Sequence, residues 1–126
     1  MDQTTITALN RAGFNTDDAL KRFLDNDRLF LLCLNKLLHT PIYSNLKEAI
    51  NNKDCQGAFD AAHNLKSVCG NLSHKSLYQL FAIQTECFRE GNFEQGVVLM
   101  SRIEPVFDTT LDALSAIISS NPQSPH

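Results

Sequence analysis

The sequence predicts an all-α fold, and three observations predict it. Apolar residues recur at helical spacing along nearly the whole chain. No segment alternates apolar and polar types with period two for long enough to make a strand. Glycine occurs 5 times and proline 4 times in 126 residues, too few turn formers for a many-stranded fold. The length fits one domain, and 43% apolar against 20% charged residues supplies a core. A chain of this size buries roughly two-thirds of its unfolded surface, so it needs neither metal nor disulfide to fold.

The elements follow in order. A short helix is expected from Thr4 to about Arg11, stopped by Gly13. A second starts after Asn15 or Thr16, both good N-caps, with Asp17 and Asp18 in the first turn where negative charge is favoured. It runs through Ala19, Leu20 and Phe23. The next begins near Asp27 and carries the stripe Leu29, Phe30, Cys33, Leu34, Leu37 and Leu38. Proline is tolerated in a helix's first turn but not inside it. At Pro41 the helix therefore either kinks or restarts, running on through Leu46 and Ile50.

Residues 51–54 (NNKD) form a turn, with Asp54 as cap for a helix from about Cys55 to Leu72. Ser73 is expected to cap another, carrying Leu77, Leu80, Phe81, Gln84, Cys87 and Phe88 and ended by Gly91-Asn92. A last helix runs from near Phe93 to about Ser119, kinked at Pro105, with the stripe Val97, Met100, Ile103, Phe107, Leu111, Leu114 and Ile118. Four long helical stretches joined by short loops imply an up-down bundle. It forms a single domain over residues 1–120. A polar tail with two prolines, expected to be disordered, occupies 121–126.

Composition narrows the function. Lys+Arg is 11 and Asp+Glu is 14, a net charge of −3. That argues against a general nucleic-acid binder and against polybasic membrane attachment. The start of the chain lacks the pattern of a secretory signal. The longest apolar runs, such as Leu29–Cys33, fall far short of the roughly 18 residues a membrane span needs. The expectation is a soluble, cytoplasmic protein. The cysteines (Cys33, Cys55, Cys69, Cys87) form no CxxC pair and match no zinc template, so they read as reduced, mostly core residues. His39, His63, His74 and His126 lack i,i+4 partners, so no metal site is expected.

The helix over 55–72 breaks the ordinary pattern. At about 100° per residue, Cys55, Ala58, Ala62, Leu65, Cys69 and Leu72 share one face, the core side. His63, Lys66, Ser67 and Gly70 share the neighbouring flank. Glycine inside a helix costs about 1 kcal/mol relative to alanine, so Gly70 calls for an offsetting reason. Small residues beside His63 let another backbone approach the ring. A neutral imidazole is nucleophilic near pH 7 and can form covalent intermediates. A lysine one turn on can neutralise phosphate oxygens. The alternative is an ordinary solvated flank with a helix-packing glycine.

Residues 62–72 (AHNLKSVCGNL) resemble the motif of histidine-containing phosphotransfer (HPt) domains, which typically read Ala-His-x-Leu-Lys-Gly, then small residues, then Gly-Asn-Leu. Residues 13–23 resemble that family's short helix before the bundle, and 27–30 the start of its first long helix. The similarity spans about 13–117. The resemblance implies an all-α, antiparallel up-down four-helix bundle with a short N-terminal helical cap, in which His63 accepts a phosphoryl group from one receiver-domain aspartate and passes it to another. It implies that Lys66 stabilises the phosphate and that Gly70 is the small residue facing the partner. Ser67 departs from the family's glycine. It is small enough to keep access, with a hydroxyl that narrows the fit or bonds the phosphate. A glutamine or glutamate on the following helix often holds the imidazole in this family. Gln84 and Thr85 stand at that distance, and Gln84 is favoured.

No Gly-rich phosphate loop and no Mg²⁺-holding acidic cluster is visible, so the chain is expected to be a carrier rather than a kinase. It would need no cofactor of its own, with Mg²⁺ on the partner receiver. The expected partners are response-regulator receiver domains and a hybrid histidine kinase. They would dock on Gln56, Phe59, Asn64, Ser67, Gly70 and Asn71, with His74 at the edge; Phe59 sits at the boundary between core and flank, and core is favoured over contact anchor. The alternative function is a helical adaptor that binds receivers without transferring phosphate. A monomer is expected. A chain starting at Met1 reads as a stand-alone carrier, although a domain of a larger hybrid kinase would look the same.

Overall fold

The structure is a computed structural model and describes residues 1–120; the tail expected over 121–126 lies outside them. The described residues are all-helical, without a strand. The helices are α1 (Gln3–Arg11), α2 (Thr16–Arg22), α3 (Asp27–Leu38), α4 (Ile42–Asn51), α5 (Cys55–Asn71), α6 (Lys75–Arg89), α7 (Phe93–Val98) and α8 (Met100–Ser120). α5 packs along α6 on one side and α4 on the other. α8 packs on α1, α3, α6 and α7.

Local chemistry sets most boundaries. Asp2, Asn15, Asn26 and Asp54 each accept a backbone N–H of the first turn with their side chains, starting α1, α2, α3 and α5. Pro41 resolves the alternative left open by the sequence. The chain stops at Leu38 and restarts with Pro41 as the cap of α4. The kink expected at Pro105 is not where the last helix breaks. The interruption falls at Leu99, between α7 and α8, and Pro105 lies within α8. Gly96 of α7 is buried, and an added Cβ there would lie 2.3 Å from the Phe88 ring of α6. Side-chain bulk at position 96 is thus excluded by the ring that packs on it.

The core runs through every long helix. Phe30, Leu31, Leu34, Leu46, Leu77, Phe81, Ile103, Phe107 and Leu114 have no exposed surface, and Leu65 almost none. Burying each such side chain stabilises by roughly 1.5–3 kcal/mol. Tyr43 stacks on Phe107 at 3.9 Å between centroids, and Phe81 meets Phe107 edge-on at 6.1 Å, joining α4, α6 and α8. The α3 stripe needs correction: Leu31 is buried, whereas Leu29 is exposed. Of the four cysteines only Cys69 is fully buried, and burial pushes its thiol up to about 12; all four are free. No helix among the described residues is long and apolar enough to cross a membrane.

The helix expected to be capped by Ser73 is capped by His74. Ser73 takes a left-handed conformation, φ 59°, and its hydroxyl donates to Asp18 of α2. His74 is buried, not at the surface. Its Nδ1 accepts the Leu77 N–H at 3.2 Å, so Nε2 carries the proton and faces the Ala12 carbonyl at 3.0 Å and Thr110 Oγ1 at 3.1 Å. The ring lies edge-on to Phe14, 4.9 Å away. An added Cβ at Gly13 would come within 2.5 Å of Nε2. One imidazole therefore ties the α1–α2 segment to α6 and α8, and burial holds it below the ordinary histidine range.

Candidate functional site

α5 divides its residues between two faces as its periodicity requires. Ala58, Ala61, Ala62, Leu65 and Cys69 are buried. The first three are alanines, which let the helix lie close to its neighbours. The other side carries Gln56, Asp60, His63, Asn64, Ser67 and Asn71, all exposed. His63 stands near the middle of the helix, so it is held by intact turns on both sides.

The flank residues have distinct surroundings. The His63 ring lies parallel to the Phe59 ring one turn earlier, 5.8 Å between centroids and 6° between planes. Phe59 is half-buried against the core edge. The Arg89 guanidinium of α6 lies 5.5 Å from its ring centroid. Lys66 is half-buried, with Nζ 5.9 Å from the Tyr78 ring centroid. Ser67 turns its hydroxyl back onto the His63 carbonyl at 3.2 Å, so that group is engaged within the helix. Gln56 donates to Asp60 at 2.9 Å.

Gly70 is half-buried beside Tyr78. An added Cβ would sit 3.8 Å from the nearest ring carbons, which is ordinary contact distance. Packing within the chain therefore leaves room for a methyl group at position 70. Lys66, Ser67, Gly70, Asn71 and Tyr78 are among the residues lining an open cleft of about 470 Å³, which also reaches Asp18 and Arg22 of α2 and Ser73 and His74.

The structure thus brings His63, Lys66, Ser67, Gly70 and Asn71 together on one flank, with Phe59, Gln56 and Asn64 around it. Gln84 does not join them and is corrected. It is fully buried, and its amide nitrogen donates to the Gly96 carbonyl at 3.0 Å and contacts Met100 Sδ at 3.1 Å. Thr85 is buried too, with its hydroxyl on the Phe81 carbonyl. Position 84 faces α7 and α8, so its amide nitrogen is taken up there, while its buried amide oxygen has no hydrogen-bond partner among the described residues. His74 leaves the docking surface for the core, as described above. Sequence reasoning missed Arg89 and Tyr78. Both stand on α6 and reach α5 residues only through helix packing, for which the sequence carries no local signal.

Among the described residues, no group of three or more His, Cys, Asp or Glu is placed to hold a metal ion. Compared with protein-family models, with curated proteins and with solved structures, the chain finds no match.

Proposed function

We propose that this chain is a histidine phosphotransfer protein of a multistep phosphorelay, carrying a phosphoryl group on His63 between receiver-domain aspartates. The observation that carries the reading is the placement of His63. It is exposed at mid-helix on a rigid element, with a lysine three residues on and small residues behind it. In this reading α3–α4, α5, α6 and α7–α8 are the four stretches of an antiparallel up-down bundle, and α1–α2 cap it. The packing of α5 between α4 and α6, and of α8 against α3 and α6, supports that arrangement.

The transfer breaks the P–O bond to a receiver aspartate and forms a P–N bond to the imidazole. Such a step needs in-line approach and neutralised charge more than covalent help. His63 supplies the nucleophile and Lys66 a point charge for the phosphoryl oxygens. Mg²⁺ and the aspartate belong to the receiver, so this chain acts as carrier and not as an autonomous enzyme. Incubation with phosphorylated receiver domains tests this. Acid-labile, base-stable phosphate should appear on the wild type and not on His63→Gln. Binding without label would instead identify a receiver-binding adaptor.

A further inference from the structure

Helical side chains lean back toward the preceding turn, so the residue at i+4 falls over the residue at i. His63 accordingly lies over Phe59, their rings 5.8 Å apart and within 6° of parallel. That is an offset stack, inside the 4.5–7 Å range of favourable aromatic pairs. Phe59 is itself held. Its edge packs on the core, and Arg89 lies over its ring at 5.5 Å. Arg89 is in turn paired with Glu86 at 3.2 Å. The two polar side chains that sequence spacing offered as holders of the imidazole, Gln84 and Thr85, are engaged elsewhere.

We propose that Phe59, backed by Arg89, is the positioning residue of His63, fixing the imidazole plane so that its nitrogens meet an incoming phosphorus edge-on. The lone pair of an imidazole nitrogen lies in the ring plane, so attack on phosphorus must occur along that plane. An offset parallel contact restrains the ring plane, leaves the edge open and removes ring orientations that cannot react. Arg89 lies against Phe59 rather than the imidazole in the structure, and its role is to restrain the phenyl ring. The inference rests on the phosphoacceptor reading for its chemical consequence, but the stack is measurable without it.

The experiment uses the full chain and two readouts. Proton–carbon NMR reads the His63 Cδ2–H and Cε1–H shifts, which ring current from Phe59 displaces from the values of a free histidine. Phosphoramidate then labels the chain without any partner: its P–N bond breaks, a P–N bond to His63 forms, and the released ammonia takes up the ring proton. Phe59→Leu keeps apolar bulk and removes the aromatic face. It should abolish that displacement and slow labelling by about three- to tenfold, the range expected for losing one aromatic pair. Phe59→Trp should restore most of both. Arg89→Gln should move the ring shifts part of the way with helix content unchanged.

Identical shifts in wild type and Phe59→Leu would overturn the stack. Shifts lost while labelling stays equal would overturn the positioning role. A wild-type ring that shows the shift but takes no phosphate, from phosphoramidate or from receivers, would remove the phosphoacceptor reading and leave the restraint on His63 standing.

Discussion

Gly70→Ala separates folding from docking because the two should change in opposite directions. Glycine in a helix interior is less favourable than alanine by about 0.8–1.0 kcal/mol. A Cβ at this position meets nothing closer than the Tyr78 ring carbons at 3.8 Å. It therefore gains a few dispersion contacts of about 0.1–0.2 kcal/mol each and incurs no strain. Together these give about 1 kcal/mol of added stability. The urea midpoint should rise by roughly 0.3–1 M at unchanged slope, and the melting temperature by about 3–5 °C for a chain of this size. If position 70 is kept small for an approaching partner, the same methyl should weaken receiver binding or slow transfer to His63. A loss of activity accompanied by a gain of stability cannot be misfolding. A Gly70→Ala protein less stable than wild type would refute the reasoning, because it would mean that packing inside the chain already demands glycine.

Other perturbations have equally definite outcomes. His63→Gln removes an exposed side chain and leaves no cavity, losing only the ring pair with Phe59, so denaturation should place its stability within about 1 kcal/mol of wild type, with phosphate acceptance gone. Lys66→Ala loses a cation–ring contact with Tyr78 worth about 0.5 kcal/mol but gains helix propensity; circular dichroism should be unchanged, while transfer slows about tenfold or more. Gly13→Ala combines φ +108° with a contact of 2.5 Å to His74, so urea unfolding should show a loss of about 2 kcal/mol or more. His74 is held below the ordinary range by burial, so the unfolded chain binds its proton more readily. Its contribution is complete above the unfolded value near 6.5 and declines as pH falls below it. Urea midpoints should drop between pH 7.5 and 5, and a flat profile would contradict a neutral, buried His74.

The parts of the fold legible in the sequence are those decided by neighbours in the chain. Asn15 and Asp54 cap the helices they were expected to cap, and Ala58, Ala62, Leu65 and Cys69 fall on the buried face of α5. Where distant contacts decide, local reading went astray. Ser73 is the better capping type, yet its hydroxyl is drawn to Asp18, 55 residues away, and His74 takes the cap. The run Leu29–Cys33 is apolar at every position, so it has no period from which to tell that Leu31 faces inward and Leu29 outward. Gln84 follows the same logic: which helix its face meets depends on the return of α7 and α8, and they supply Gly96 and Met100.

The same division explains why the side chains on the outer flank of α5 can change without endangering the fold. α5 is anchored by its alanine-rich inner face and by the Asp54 cap. Its last turn leads into Ser73 and His74, which bind the α1–α2 segment and α8. None of these anchors involves the outer flank. His63 and Lys66 touch aromatic faces, and Ser67 bonds only within its own helix. The flank is therefore free to vary in chemistry while the inner face maintains the fold. Substitutions at 63, 66 and 67 should register in reactivity and not in stability, whereas changes at 13 and 74 should register in stability first.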